Sequence, residues 1–258
     1  MNVLSLHQGT APVLISLPHD GVGLAAGMVE RMTDSARALP DTDWFVSRLY
    51  AFGVALGASV LVPSYSRYVV DLNRPPDDAS LYPGQNTTGL CPTQQFNGEP
   101  IYLPGEHPGS EEIAGRIESY WLPYHQTLRA ELDRLRALHG RVLLWEGHSI
   151  KSRLPFLFDG RLPDINLGTA SGASCAPATQ QRLESALSAQ SQYSWIGNGR
   201  FKGGYITRHY GRPEHGIDAM QLELAQCNYM DEERVVYDEL GAGRTQALLQ
   251  ALLRSALG

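Results

Sequence analysis

Apolar residues fall into short runs and into helically spaced positions, and this pattern predicts the secondary structure. Short apolar runs rich in β-branched residues are typical of buried strands. Five segments are predicted as strands: the apolar runs at residues 12–17, 60–62, 68–72 and 141–145, and the segment AMQLEL at 219–224. Apolar positions three or four residues apart predict helices. These are predicted at residues 25–33, 110–139, 177–191 and 239–257, with one more beginning at Asp41 or Thr42. Because strands alternate with helices, the sequence predicts an α/β fold with a mixed, mainly parallel sheet flanked by helices.

The stretches between these elements lack apolar periodicity and are predicted to be loops. They cover residues 75–108 and 151–178, while residues 199–212 suggest a glycine-rich strand or hairpin. Pro123 should kink or break the long helix that contains it. Many of the 26 glycines and 16 prolines lie in these loops, and loops on a rigid scaffold often carry active sites. Since no repeat or linker is evident, residues 1–258 are predicted to form a single domain.

Composition excludes several classes of function. The net charge is −6, from 21 basic and 27 acidic residues, and without a basic run a nucleic-acid partner is not expected. The three cysteines are far apart and lack CxxC spacing, which argues against a disulfide framework or a cysteine zinc site. The first residues do not resemble a signal peptide, and no apolar run reaches the roughly 18–20 residues of a membrane span. We therefore expect a cytoplasmic protein with a small-molecule substrate and no membrane partner. Its oligomeric state is not indicated.

Two histidines follow predicted strands, where open α/β sheets bind ligands. His19 comes after the first strand and His148 after the fourth, and although either could be a turn histidine, the two together favour a metal site. Two histidines, one carboxylate and an open position suit Zn²⁺ or another divalent transition metal. Asp43 is the candidate carboxylate, with Asp41 and Asp20 as alternatives. Asp41 equally suits a helix N-cap, so these residues alone do not decide among the three.

Other polar residues in similar positions suggest substrate binding and catalysis. Asn73 and Arg74 precede two prolines, and a guanidinium can bind a carboxylate through two hydrogen bonds, although a surface ion pair would also explain Arg74. Glu223 lies among apolar residues of a predicted strand, where a desolvated carboxylate could act as a general base or face solvent at a sheet edge. Arg208 lies in the glycine-rich segment and is a second candidate for binding an anion.

The sequence lacks the GxGxxG, GxxxxGK[ST], GxSxG and HExxH motifs, which disfavours nucleotide cofactors and a nucleophile-elbow hydrolase. It resembles, instead, the N-formylglutamate amidohydrolase family. The resemblance rests on seven stretches that occur in order from about residue 12 to 232: LISLPHDGVG, LPDTDWFVSRLY, YSRYVVDLNRPPDDASLYPGQNTTGLCP, EGHSI, LPDINLGTASGASC, GRFKGGYITRHYG and QLELAQCNYM.

The resemblance implies a zinc-carboxypeptidase-like, phosphorylase/hydrolase-like architecture. It also implies hydrolysis of N-formyl-L-glutamate to formate and L-glutamate in histidine degradation. Carried over residue by residue, it implies His19 and His148 as metal ligands with Asp43 as the acidic ligand. It further implies Asn73 with Arg74 for a substrate carboxylate and Glu223 as the base.

The sequence departs from the family pattern and from its relatives in three places. Val22 stands where the related HxxE motif has a metal-binding glutamate, Ser47 stands where an aspartate is expected, and EGHSI replaces DAHSI. The acidic ligand must therefore come from elsewhere in the chain. A deacylase for N-succinyl or N-acetyl acidic amino acids, and a non-catalytic binding protein on the same scaffold, are the alternative interpretations.

Overall fold

The computed structural model describes residues 2–80 and 88–258, and its centre is a seven-stranded mixed sheet. In these ranges the strands are β1 (Leu4–His7), β2 (Val13–Ser16), β3 (Ser59–Pro63), β4 (Val142–Ile150), β5 (Ile165–Gly168), β6 (Trp195–Gly197), β7 (Ile217–Ala225), β8 (Met230–Asp231) and β9 (Val236–Tyr237). The sheet order is β1-β3-β2-β4-β7-β5-β6, and β8 pairs with β9 separately. Within the sheet, only the β1–β3 and β5–β7 pairs are antiparallel.

Helices of very different lengths connect the strands. The α-helices of the described ranges are α1 (Asp34–Arg37), α2 (Val46–Leu49), α3 (Phe52–Ala55), α4 (Ser110–Arg116), α5 (Leu122–His139), α6 (Pro177–Ser188), α7 (Tyr205–Tyr210) and α8 (Glu239–Leu257). A π-helical turn (Ile117–Trp121) joins α4 to α5, and 3₁₀ turns occur at Val29–Arg31, Ala170–Gly172, Pro213–His215 and Gln226–Asn228. None of the helices described is long and apolar enough to span a bilayer.

The helices cover both faces of the sheet, which confirms the predicted fold class. On one face, α2, α6 and α8 pack against strand residues such as Trp145 and Leu222. On the other, α5 and α7 pack against residues such as Leu144 and Ala219. Neighbouring residues of a strand pack on opposite faces of the sheet because successive side chains point in opposite directions. Each fully buried leucine contributes about 1.5–3 kcal/mol, so the two apolar layers hold the sheet rigid.

The predicted strand at residues 68–72 is wrong. The segment is buried, but its backbone forms turns rather than a sheet ladder: Val69 N–H donates to Ser66 O, and Arg74 N–H donates to Asp71 O. The Asp71 carboxylate also accepts from Asn73 N–H at 2.8 Å. Its apolar residues are buried beneath helices. A buried segment that pairs with no strand has the same apolar run in its sequence as a buried strand.

Other expectations need correction as well. Residues 205–210 form a helix rather than a strand or hairpin, and residues 25–33 contain only one 3₁₀ turn. The helix expected after Asp41 is split into α2 and α3, and Phe45, with φ of 63°, precedes α2 without a side-chain cap. Asp41 instead accepts hydrogen bonds from Tyr68 Oη at 2.7 Å and Phe96 N–H at 2.9 Å.

The sheet also extends beyond the strands predicted. β4 continues five residues past 145, so His148 lies inside the strand rather than after it. β5 lies in the segment 151–178 that was expected to be a loop, and β6 lies at 195–197, where no element was predicted; both are short. Part of the long loop predicted at 75–108, residues 81–87, lies outside the described residues; the rest contains no helix or sheet strand.

Candidate active site

Three of the predicted site residues meet at the carboxyl ends of the central strands. His19 lies three residues beyond β2, His148 lies in β4, and Asp43 lies just before α2. One donor atom from each lies within 4.8 Å of the others, and all three side chains are buried. Asp43 Oδ2 is 3.2 Å from His148 Nδ1 and 3.8 Å from His19 Nδ1. The three residues therefore form one compact His–Asp–His cluster.

Each histidine also binds a second carboxylate through its other ring nitrogen. His19 Nε2 lies 2.7 Å from Asp71 Oδ1, and His148 Nε2 lies 2.7 Å from Glu146 Oε1. A carboxylate can only accept, so both Nε2 atoms carry a proton and both Nδ1 atoms turn toward Asp43. A carboxylate on one ring nitrogen, with the other ring nitrogen turned toward the site, is the arrangement that orients metal-binding imidazoles in proteins.

The donor set fits a divalent transition metal. Two imidazole nitrogens and one carboxylate are common ligands of Zn²⁺ in sites that keep a coordination position open. Asp43 Oδ1 is buried and has no hydrogen-bond partner among the described residues, although Arg67 Nη1 is 3.6 Å away. A buried carboxylate oxygen without a hydrogen-bond donor is suited to a cation. His19, Asp43 and His148 could thus hold a metal ion.

Burial and nearby charges move the pKa values of this cluster in different directions. Burial and the charge of Arg67 lower the pKa of His19. Burial alone would lower the pKa of His148, but the carboxylates of Glu146 and Asp43 outweigh it and raise that pKa well above the usual range. Burial would raise the pKa of Asp43, but the two histidines and Arg67 hold it below its ordinary value. The site thus favours an ionised Asp43 between the imidazoles.

Glu223 lies beside the cluster in the adjacent strand. It is the register partner of His148 in the parallel β4–β7 pair, so both side chains point to the same face of the sheet. Burial raises its pKa to about 8, which the charge of His148 opposes and that of Asp43 reinforces. Gln221 Nε2 donates to Glu223 Oε2 at 3.2 Å, while Gln221 Oε1 accepts from Gly204 N–H. This contact orients one carboxylate oxygen of Glu223.

Asn73 and Arg74 lie on the turn that crosses the carboxyl ends of the strands. Asn73 Nδ2 is 3.2 Å from His148 Nε2, and Asn73 Oδ1 accepts from Ile206 N–H. Gly204 lies so close that a Cβ there would be 2.3 Å from Asn73 Nδ2, which explains why this position requires glycine. Arg74 Nε donates to Thr88 O at 2.8 Å, and Trp121 Nε1 donates to Arg74 O. Both residues are therefore held rigidly next to the cluster.

These side chains line one cavity of about 700 Å³, including the space at its mouth. Its guanidinium groups come from Arg67, Arg74 and Arg200, as far as the described residues show. Arg208 lies on α7, is not among the residues that line the cavity, and its Nε donates to Gly203 O at 2.8 Å. The structure thus brings six of the seven predicted site residues to one cavity and places Arg208 outside its lining.

Several residues of the site were not singled out from the sequence. Asp71, Glu146 and Gln221 hold the predicted residues in place, and Arg67 and Arg200 bring positive charge to the cavity. The spacing of Arg67 and Asp71, four apart, was a local signal, and their side chains do form an ion pair at 2.8 Å. Of the rival acidic ligands, Asp41 binds Tyr68 and Phe96, and Asp20 accepts from Ser47 N–H. Neither belongs to the three-residue cluster.

The chemistry available here is that of amide hydrolysis. A buried carboxylate can take a proton from water, a cation site can polarise a carbonyl, and guanidinium groups can bind an anionic substrate. Cavities of this size suit small molecules. Together these groups suit a hydrolase that acts on a small anionic substrate.

Comparison with known proteins identifies the family. A sequence model of the N-formylglutamate amidohydrolase family matches residues 11–230, and the chain belongs to that family. It is 53% identical over 256 residues to N-formylglutamate deformylases of Pseudomonas putida and Pseudomonas aeruginosa, covering 99% of this chain and 96% of each relative. The crystal structure of N-formylglutamate amidohydrolase from Ralstonia eutropha superposes with a TM-score of 0.84 at 25% identity, over 99% of this chain and 97% of that one. A structure from Agrobacterium tumefaciens, at 17% identity and a TM-score of 0.71, covers 99% of this chain and 96% of its own and shares the fold.

Proposed function

We propose that this enzyme hydrolyses the linear amide of N-formyl-L-glutamate, giving formate and L-glutamate. The observation that supports it most is the 53% identity to N-formylglutamate deformylases over nearly the whole chain, together with one cavity that contains a cation site, a buried carboxylate and arginines. The family resemblance further implies that this reaction serves histidine degradation.

In this proposal His19, Asp43 and His148 hold a divalent transition metal, with zinc as the first choice. Asp71 and Glu146 keep the Nε2 protons of the two histidines in place, so that each Nδ1 lone pair points toward the site. A cation held there would act as a Lewis acid toward the formyl oxygen and acidify the attacking water.

Glu223 is the proposed general base. Its carboxylate takes a proton from water as the water oxygen attacks the formyl carbon. It then gives that proton to the glutamate nitrogen as the C–N bond breaks, so that formate and L-glutamate leave and the base is regenerated. Burial raises the pKa of Glu223 to about 8, and a nearby cation would lower it, because an opposite charge favours the ionised form.

Asn73 and Arg74 are proposed to bind the α-carboxylate of the substrate. That carboxylate is attached to the carbon next to the amide nitrogen, so its binding group must lie close to the reacting atoms. Asn73 Nδ2 is 3.2 Å from His148 Nε2, and Arg74 is the next residue, fixed by the carbonyls of Thr88 and Asn73. A rigid guanidinium favours two-point binding of a carboxylate.

The test is a formate-release assay with purified protein after metal repletion. We expect turnover of N-formyl-L-glutamate to exceed that of N-acetyl- and N-succinyl-L-glutamate by at least about 10- to 100-fold, because an acyl site that fits the small formyl group excludes bulkier groups. The corresponding aspartate derivatives extend the panel. Preferential turnover of an acetyl or succinyl substrate would contradict the deformylase assignment and favour a deacylase of another N-acyl acidic amino acid.

A further inference from the structure

The cavity contains more positive charge than one substrate carboxylate needs. Of its three arginines, Arg67 is already paired with carboxylates of the protein, since its Nη2 lies 2.8 Å from Asp71 Oδ2 and its Nη1 lies 3.6 Å from Asp43 Oδ1. Arg74 lies beside Asn73 at the reacting centre. Arg200 is the remaining guanidinium that lines the cavity in the described chain.

Arg200 lies on the segment that leads from β6 into α7. Residues 201–204 contain neither helix nor strand, and Gly204 contacts Asn73. Arg200 therefore reaches the cavity from a different segment of the chain than Arg74, which lies on the turn that contains Asn73. A γ-carboxylate lies three carbons farther from the scissile amide than the α-carbon does. The second carboxylate therefore requires a cationic group separate from Arg74, and Arg200 lines the same cavity from the segment beside Phe158 and Phe201.

The surroundings of Arg200 make it selective for charge. Its Cζ lies 5.8 Å from the ring centroid of Phe158 and 5.9 Å from that of Phe201, within the range of cation–π contact. Both rings pack against a small apolar cluster made of Phe96, Ile150, Leu154 and Leu162. Beside apolar side chains the attraction between a guanidinium and a carboxylate is stronger than in bulk solvent.

We propose that Arg200 binds the side-chain carboxylate of the substrate and sets the preference of this cavity for acidic over neutral N-formyl amino acids. This inference rests on the proposed function and assigns to Arg200 the role that the sequence suggested for Arg208. Arg208 bonds to the Gly203 carbonyl and is absent from the cavity lining.

The experiment compares N-formyl-L-glutamate with N-formyl-L-glutamine, whose side chain has the same shape without the charge. The parent should prefer the glutamate derivative, and Arg200→Gln should lower kcat/KM for it by about 10- to 100-fold, the usual effect of losing a charged hydrogen bond. The same variant should change kcat/KM for the glutamine derivative less than about threefold. Arg200→Lys should recover part of the preference. Arg74→Gln should weaken both substrates, since both have an α-carboxylate.

Two further variants complete the design. Arg254→Gln, on the exposed side of α8, changes the net charge equally and should leave both substrates unaffected. Arg208→Gln tests the rival residue. An equal loss on both substrates in Arg200→Gln, or a preference that is lost in Arg208→Gln instead, would overturn the proposal.

Calorimetric binding of L-glutamate and L-glutamine gives a readout independent of turnover. Arg200→Gln should weaken L-glutamate binding by at least about tenfold and leave L-glutamine binding unchanged. If the parent does not hydrolyse N-formyl-L-glutamate, the proposed function fails, yet selective loss of L-glutamate binding would still support the role of Arg200. Unchanged L-glutamate binding in the variant would refute that role in either case.

Discussion

The molecule buries histidines in two clusters with opposite chemistry. The site cluster comprises His19, Asp43, Asp71, Glu146, His148 and Glu223. The aromatic cluster comprises Trp121, Tyr124, His125, Tyr205 and Tyr210, on the face covered by α5 and α7. Both are shielded from solvent, so burial alone does not distinguish a functional histidine from a structural one.

The two clusters differ in the hydrogen-bond partners of their histidines. In the aromatic cluster, His125 Nε2 donates to Leu72 O at 2.9 Å, and Tyr210 Oη donates to His125 Nδ1 at 2.9 Å. These partners are neutral, so burial dominates and lowers the pKa of His125 to about 3. In the site cluster, carboxylates contact equally buried histidines: Glu146 and Asp43 raise the pKa of His148, whereas burial and Arg67 lower that of His19 despite Asp71 and Asp43. A histidine surrounded by carboxylates can exchange a proton for a cation, whereas a histidine with neutral partners in an apolar layer serves packing.

The largest effect expected is on turnover. Glu223→Gln should retain bound metal and lower kcat by about 10²- to 10⁴-fold, because the amide cannot accept the water proton. Tyr210→Phe is an equally small change in the aromatic cluster and should lower stability while affecting kcat far less. Formate release and elemental analysis measure the two quantities. A Glu223→Gln enzyme with parental kcat would remove Glu223 from the mechanism.

The next largest effect is on metal content, which should differ between variants of the two clusters. His148→Ala should lose stoichiometric zinc and most activity, since one of three protein ligands is removed. His125→Gln should keep the metal, because a glutamine can still donate to Leu72 O and accept from Tyr210. Elemental analysis after dialysis against excess zinc provides the measurement. Full zinc retention in the His148 variant would show that the metal is held elsewhere.

A smaller effect, on metal affinity, is expected for a residue that is hydrogen-bonded to a proposed metal ligand. Asp71→Asn removes the carboxylate that orients His19 and should weaken metal affinity by about 10- to 100-fold. Asp41→Asn is the matched control, a buried aspartate that binds Tyr68 and Phe96 instead of a histidine. Competition with a chelator gives both affinities. Equal affinities in the two variants would argue against an orienting role for Asp71.

The smallest effect concerns the pH dependence of stability. His125 has a pKa of about 3 when folded and 6.5 when unfolded, so between these values only the unfolded chain binds the proton. Its contribution to stability is therefore complete above pH 6.5 and is lost as the pH falls toward 3. Between pH 7 and pH 5 the parent should lose about 2 kcal/mol more unfolding free energy than His125→Gln. Denaturant titrations at both pH values measure this; identical losses would contradict it.

Many strands and helices could be predicted because apolar runs and helical spacing are patterns within a few neighbouring residues. Runs with β-branched residues predicted β2 and β3, and the segment AMQLEL predicted β7, each within a few residues. Helical spacing predicted α6 and α8 equally well, whereas the helix predicted at residues 110–139 is divided into α4, the π-helical turn and α5. Residues 68–72 and 205–210 were misassigned because their apolar character reflects contacts with helices distant in sequence. β5 and β6 were missed because three or four residues are too few to establish a period.

The sequence by itself determined an α/β fold, a resemblance to an amidohydrolase family and the residue types of a candidate metal site. It identified His19, Asp43, Asn73, Arg74, His148 and Glu223, which lie together in one cavity. Only the tertiary structure decided which aspartate faces the histidines, that Asp71 and Glu146 orient them, and that Arg200 rather than Arg208 lines the cavity. The physical reason is distance along the chain. Except for Glu146 with His148, two residues apart on one strand, these contacts join segments dozens of residues apart, which only the register of β4 with β7 and the packing of the turns against the sheet bring together.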